Sequence, residues 1–283
     1  MIVEIALEKG KNDPQLIFES MNSKGMELAQ TDLIRNYIVM EIEIEKQEGF
    51  YNKYWRAIEE EFKQNKKWFD RFVRHYVTIK TREIPNINKI YVALKDYRQK
   101  EGIAIEDLLK DLQKYCGYFC QIVFKKEADK DLNKALGFLV DLDMDVIYPL
   151  LLELYSDYSD YSDGVLSKAD FIPIIALIES YICRRAVCGL GTNSLNKVFP
   201  SFTKHIQKNE YFKSLKAHFG YLTEKQRFPN NDEFKDRFIT IDFYNFQKRE
   251  YFFERLENFD RKERVYTHEY TTEHIMPQHL TEE

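Results

Sequence analysis

The most chemically suggestive residues lie near the C-terminal end, where Glu273 directly precedes His274 in the run 273–277 (EHIMP). An imidazole has an unperturbed pKa close to neutrality, so His274 can accept a proton from water. A carboxylate such as Glu273 can bind Mg²⁺ or Mn²⁺, because these hard cations prefer oxygen ligands. This pair of residues could therefore serve metal-assisted hydrolysis, in which a base activates water and a metal holds the developing negative charge.

The same run resembles the (D/E)-H-I-x-P signature of HNH, or His-Me finger, nucleases. The resemblance implies that the run ends the first strand of a metal-binding finger that hydrolyses phosphodiester bonds. It makes His274 the general base, Glu273 the metal-side carboxylate, and Pro277 the residue that turns the chain out of the strand. Such fingers carry further Asn and His ligands on a following loop and helix, so we expect this chain by itself to be inactive. The alternative is a chance match, in which His274 is an ordinary polar residue.

A second pattern lies near the N-terminus, in residues 18–25 (FESMNSKG) and residues 32–37 (DLIRNY). It resembles the end of the ParB/sulfiredoxin-like domain of GmrSD-type restriction proteins. That domain binds nucleotide through a D-G-Q-Q-R-type motif, which this sequence lacks. The resemblance implies that Asn22, Gly25 and Arg35 lie at a nucleotide- or DNA-binding cleft.

The N-terminal residues also have a simpler structural interpretation. Asn and Gly tolerate positive φ, so Asn22 and Gly25 could only form a turn. Asp32 could cap the free N–H groups of the following helix, which we expect to begin near Thr31 and Asp32. Both interpretations remain open at the level of sequence.

The middle of the chain resembles the same family at residues 72–76 (FVRHY), and at Cys183-Arg184-Arg185 followed by Gly189. The resemblance implies a nucleotide-regulated endonuclease that uses Mg²⁺ or Mn²⁺ to cut foreign, modified phage DNA. It predicts three parts: residues 1–40 as the remnant of the nucleotide domain, 41–262 as a helical middle domain, and 263–283 as the first strand of a truncated nuclease domain. Homo-oligomer formation through the helical middle is a further expectation. The competing class is a non-enzymatic helical interaction module.

Composition and periodicity predict a mainly α fold, a multi-helix bundle from about residue 30 to residue 260. Glycine (10) and proline (7) are scarce among 283 residues, and 44% of the residues are hydrophobic. We expect a short strand at residues 2–7 and a short β segment at 264–275, where β-forming residues are frequent. Apolar residues recur at helical spacing in residues 33–42, 51–62, 68–76, 88–98, 105–124, 132–155, 168–183, 194–207, 209–219, 232–239 and 246–257.

The net charge and the short apolar runs of the chain argue against two classes of function, DNA gripping and membrane insertion. The formal net charge of −5 argues mildly against this chain as the main DNA-gripping surface, because phosphate binding favours basic proteins. No apolar run approaches the roughly 20 residues that span a bilayer, and no signal-peptide pattern is visible. We therefore expect a cytoplasmic protein without a membrane partner and with reduced cysteines.

Two further clusters have a functional and a structural interpretation. Residues 66–76 (KKWFDRFVRHY) could form a nucleic-acid surface, but their aromatic spacing favours a buried stripe with a solvated basic face. Arg184 and Arg185 could contact DNA, but a helix end or a carboxylate is the favoured partner. Cys116 and Cys120, with Cys183 and Cys188, depart from the usual C-x₂-C zinc spacing, so we expect thiols packed among helices.

Overall fold

The computed structural model describes residues 29–159 and 165–261, together with residues 263, 265, 267, 270 and 271. These residues are mainly helical, which confirms the predicted fold class, and no strand occurs among them. The predicted β segment is therefore not seen at its described positions, and the predicted strand at residues 2–7 lies outside the described residues.

The helices follow one another with short connections. They are α1 (Gln30–Met40), α2 (Ile44–Phe50), α3 (Arg56–Phe62), α4 (Lys67–Thr81), α5 (Ile90–Glu101), α6 (Ile105–Val123), α7 (Lys130–Asp141), α8 (Tyr148–Ser159), α9 (Lys168–Val187), α10 (Tyr211–Tyr221), α11 (Asn231–Thr240) and α12 (Arg249–Glu257). A π-helical stretch, Tyr51–Trp55, joins α2 to α3. Short 3₁₀ stretches occupy Ile87–Lys89, Asp145–Ile147, Asn193–Lys197, Phe199–His205, Lys208–Glu210 and Glu224–Gln226.

Helix α4 lies at the centre of the N-terminal half and packs against α5, α6 and α8. Its residues Phe69, Phe72 and Tyr76 are buried. The Phe72 ring lies 5.6 Å from that of Phe119 on α6, within the distance range of favourable aromatic pairs. The aromatic residues of the segment 66–76 thus belong to the core, as the structural interpretation favoured.

Two predicted helices are divided in the structure. The predicted helix 132–155 is interrupted between α7 and α8, where Asp143 takes a left-handed φ of 46°. Helix α8 then starts one residue before Pro149, which is tolerated there because the first turn leaves its N–H groups unpaired anyway. The predicted helix 194–207 is instead two 3₁₀ stretches, and Pro200 lies at the start of the second.

One continuous core of buried side chains extends from Leu33 on α1 to Tyr251 on α12. Helix α9 is central to its C-terminal half and contacts α7, α10 and α11. The C-terminal helices therefore share a core with the rest of the described chain.

Among the described helices, none combines the length and the apolar character that crossing a bilayer requires.

Candidate functional site

The predicted site residues divide into two groups. His274, Glu273, Asn22 and Gly25 lie outside the described residues. Arg35 is described and lies on α1. The structure therefore describes the surroundings of Arg35, and the elements that lead up to Glu273 and His274.

Arg35 lies in a network of charged and polar groups between α1 and α3. Its guanidinium is 3.1 Å from Asp32 Oδ1 and 3.4 Å from Glu59 Oε1, and the side chain is 40% exposed. Glu59 also accepts hydrogen bonds from the Tyr51 hydroxyl (2.7 Å) and from Trp55 Nε1 (2.7 Å). These contacts fix the position of Arg35 and leave part of its side chain open to a ligand.

The start of α1 differs from the prediction. The helix begins at Gln30, its N-cap position is Ala29, and no side chain caps it. Asp32 lies inside the first turn, where a carboxylate still complements the helix dipole, and it pairs with Arg35. The Thr31 hydroxyl donates to Asp70 Oδ1 on α4 at 2.9 Å. Burial raises the pKa of Asp70, while its hydrogen bond with Thr31 opposes that shift.

A cavity of about 520 Å³ surrounds Arg35, a size within the range of ligand sites. Lys63, Lys66 and Lys67 are among its lining residues, and none of them forms an ion pair with a described residue. Four carboxylates line the same cavity: Asp32, Glu59, Glu60 and Asp70. The unpaired lysines favour an anionic ligand, although the carboxylates offset part of this attraction.

In the C-terminal half of the chain, Arg184 holds the beginning of α11. Its Nη2 donates to Asn231 Oδ1 at 2.7 Å, and its Nη1 donates to the carbonyl of Pro229 at 3.3 Å. The guanidinium also lies 5.1 Å from the ring centroid of Phe234. Arg184 thus binds a helix start, as the structural interpretation favoured.

Helix α12 is attached to α9 through Glu179. The Tyr251 hydroxyl donates to Glu179 Oε1, and Arg255 Nε lies 2.9 Å from the same oxygen. Burial, together with Glu179 and Cys183, raises the pKa of Tyr251, so its hydroxyl stays protonated. Glu179 is not among the residues predicted from the sequence, because an isolated carboxylate within an apolar helix carries no spacing signal.

Beyond α12, a small set of contacts involves the described positions that precede Glu273. Asn258 bonds both the N–H and the carbonyl of Val265. The Tyr270 N–H donates to the Thr267 carbonyl at 2.9 Å, and Thr267 is buried. A groove of about 420 Å³ lies between these residues and the face of α12 that carries Phe253. The last described position is therefore Thr271, two positions before Glu273.

No metal-binding group of three or more His, Cys, Asp or Glu side chains occurs within residues 29–159, 165–261 and the described positions beyond them. Cys116 and Cys120 are buried, and Cys183 and Cys188 are half-buried free thiols. Burial raises the pKa of Cys183 to about 12, which keeps it protonated. Cys116 and Cys120 do not come together with Cys183 and Cys188 among the described residues.

The C-terminal part of the chain is similar to a known protein family. No curated protein and no solved structure matches the chain. Residues 228–283 match the family model described as GmrSD restriction endonucleases, C-terminal domain. The matched segment contains α11, α12, the Asn258 contacts and the run 273–277. Over these residues the chain is therefore similar to the C-terminal domain of GmrSD restriction endonucleases.

Proposed function

We propose that this chain is part of a metal-dependent DNA endonuclease of anti-phage restriction. One observation carries the proposal: the run 273–277 lies inside the segment that matches the restriction endonuclease family. His274 acts as the general base that takes a proton from the attacking water. Glu273 binds Mg²⁺ or Mn²⁺, which stabilises the negative charge that develops on the phosphate.

The helical body holds the chain that leads into the catalytic segment. General-base catalysis requires the imidazole to stay within hydrogen-bond reach of the water that it activates. The contacts of Glu179 with α12 and those of Asn258 with Val265 support such a position, because they tie the chain before Glu273 to the core. In this proposal, residues 41–262 are the helical middle domain and residues 263–283 begin the nuclease domain.

The cavity around Arg35 is the proposed nucleotide- or DNA-binding site, with Asn22 and Gly25 contributing from residues 1–40. Lys63, Lys66 and Lys67 form no ion pair with a described residue, which supports binding of a phosphate-bearing ligand. Nucleotide binding there regulates cleavage through the helical middle domain, which also forms the homo-oligomer contacts. A cytoplasmic location, where phage DNA is encountered, belongs to the same proposal.

Cleavage assays test the nuclease function. The product of the complete reading frame is incubated with plasmid and phage DNA in Mg²⁺, in Mn²⁺ and in EDTA, alongside residues 1–283 alone. We expect cleavage by the complete product with either metal, none in EDTA, and none by residues 1–283. Glu273→Gln should raise the metal concentration needed for half-maximal cleavage. Cleavage in EDTA, or an unchanged metal requirement in the variant, contradicts the proposed role of Glu273.

Nucleotide binding is tested with a fluorescent GTP or ATP analogue and the Arg35→Met variant. Lys46→Met is the control, because Lys46 forms a comparable exposed ion pair with Glu43 away from the cavity. We expect weaker binding in Arg35→Met only. Equal binding by all three proteins contradicts the role of Arg35, and the absence of both nucleotide binding and DNA cleavage favours the interaction module.

A further inference from the structure

A second cavity, of about 290 Å³, lies between the C-terminal part of α9 and the connection from α11 to α12. Its volume is near the lower end of the range for small-molecule sites. Most of its wall is apolar, formed by Met144, Ile182, Ala186, Leu190, Leu195 and Phe246. The volume and lining suit the apolar part of a small ligand.

The charged groups of this cavity are all of one sign. Two of the described residues that line it are charged, Arg185 and Lys248, and both are cations. By contrast, four carboxylates line the cavity around Arg35, and Glu250 and Glu257 line the groove beside α12. In a chain with a formal net charge of −5, an apolar cavity lined by cations without carboxylates selects anions.

Arg185 is a buried cation that lies over the ring of Tyr181 and forms no ion pair with a described carboxylate. It is 2% exposed, and its terminal nitrogens donate to the carbonyls of Lys225 (2.8 Å), Arg227 (3.3 Å) and Gly191 (2.8 Å), and to Ser194 Oγ (3.2 Å). All four acceptors are neutral, no described carboxylate forms an ion pair with it, and its Nε has no hydrogen-bond partner among described residues. A buried charge without a counter-ion is costly, so a nearby anion stabilises it.

Lys248 supplies the second cation. It is half-buried, and its Nζ makes a long contact of 3.5 Å with the carbonyl of Asp143. No described carboxylate forms an ion pair with it. Lys248 can therefore pair with an incoming anion without breaking an existing salt bridge, and it lies one residue before α12.

We propose that this cavity binds a small organic carboxylate with a short aliphatic or single-ring body. The carboxylate pairs with Lys248 and is stabilised by the field of Arg185, and the apolar body packs against Ile182, Ala186 and Phe246. The bound molecule connects α9 to the segment that precedes α12. It thereby stabilises the attachment of the C-terminal helices, whether or not the chain belongs to a nuclease.

Binding measurements on residues 1–283 with three matched probes test this site. Hexanoate, 1-hexanol and hexylammonium share an apolar body and differ in charge, and their binding is measured by NMR titration or calorimetry. We expect saturable binding of hexanoate, at least about fivefold weaker binding of hexanol, and no binding of hexylammonium, because a partly buried charge pair contributes about a factor of five in affinity. Equal affinity for hexanoate and hexanol overturns the proposal.

Three variants separate the contribution of charge to binding from the contribution of the cavity volume. Lys248→Gln should weaken hexanoate binding by about threefold to fivefold and leave hexanol binding unchanged. Lys235→Gln, which removes an exposed lysine on α11 away from the cavity, is the charge-matched control and should change neither. Ala186→Leu should fill the cavity and abolish binding of both probes.

Circular dichroism and thermal unfolding establish whether each variant is folded. Should Ala186→Leu fail to fold, the comparison of Lys248→Gln with Lys235→Gln still decides the question. Hexanoate binding that is absent in the unsubstituted chain, or identical in the two lysine variants, overturns the proposal.

Discussion

Asn258 holds the main chain of Val265 from both sides. The Val265 N–H donates to Asn258 Oδ1 at 2.6 Å, and Asn258 Nδ2 donates to the Val265 carbonyl at 2.7 Å. The same Nδ2 donates to the carbonyl of Glu254 at 2.8 Å, in the last turn of α12. A single buried side chain thus connects the end of α12 to the segment that leads to Glu273 and His274.

Substitution of Asn258 should therefore release this segment. Asn258→Ala leaves the N–H and carbonyl of Val265 without these partners, so we expect a loss of about 1–3 kcal/mol in the free energy of unfolding. Asn258→Asp keeps the acceptor for the Val265 N–H but loses both donated bonds, and should give an intermediate effect. Hydrogen–deuterium exchange of residues 258–271 should accelerate in the order of these losses. Equal exchange in all three proteins contradicts this role of Asn258.

Glu179 should be more important for stability than Glu257, a half-buried carboxylate of α12. Glu179→Ala removes the acceptor for Tyr251 and Arg255, so we expect a loss of about 2–3 kcal/mol, as for hydrogen bonds to a buried charged group. Glu257→Ala is the control, because its partner Arg261 is half exposed; it should cost less than about 1 kcal/mol. Urea unfolding of both variants measures the difference. Similar losses for the two variants rule out Glu179 as the anchor of α12.

Acid should destabilise the protein through His75. Burial, with Arg74 and Arg71, lowers the pKa of His75 from 6.5 to about 3, and its Nε2 has no hydrogen-bond partner among described residues. Asp145 Oδ1 lies 4.0 Å away, but the burial of His75 outweighs this distant carboxylate and keeps the ring neutral. Above pH 6.5 the ring is neutral in both states, whereas below it the unfolded state binds a proton that the folded state does not. Stability is therefore lost as the pH falls from 6.5 towards 3.

The size of this effect can be measured by replacing the ring. Between pH 7 and pH 5, His75 should contribute a loss of about 2 kcal/mol, and His75→Phe should lack that part of the pH dependence. Phe fits because His75 packs beside the rings of Phe119 and Tyr148. Urea unfolding of both proteins at the two pH values gives the difference. The same pH dependence in both proteins contradicts a neutral, buried His75.

The pKa of His218 should depend on the neighbouring His205. Their rings are stacked with centroids 4.4 Å apart, and burial, followed by the charge of His205, lowers the pKa of His218. His205→Gln removes that charge, so the pKa of His218 should rise in an NMR titration. Lys204→Gln, which removes an adjacent exposed cation, should leave it nearly unchanged. A larger shift in the lysine variant means that the stacked ring is not the relevant charge.

Apolar spacing predicted most of the helices, because burial of one helix face depends on residues three and four positions apart. It could not locate the break after α7, where the tertiary structure places Asp143 at positive φ within a continuous apolar pattern. The residue type of Asp32 suggested a helix cap, whereas the helix begins at Gln30 and Asp32 pairs with Arg35.

The candidate site residues were predicted from motifs. The residues that attach the C-terminal segment to the helical body were not predicted. Glu179 and Asn258 contact residues 72 and 7 positions away, and neither belongs to a recognisable spacing pattern. The cations of the small cavity, Arg185 and Lys248, come from helix α9 and from the connection before α12. Such pairs form only when the chain folds, so periodicity cannot reveal them.

The most direct measurement is the DNA cleavage rate of the complete reading-frame product carrying His274→Ala, in Mg²⁺ and in Mn²⁺. Loss of a general base should lower the rate by about 100-fold to 10,000-fold. His279→Ala, five positions further along, is the matched control and should retain far more activity. If His274→Ala cleaves as fast as the unsubstituted protein while folded and metal-dependent, His274 is not the base, and the catalytic role proposed for residues 273–277 is wrong.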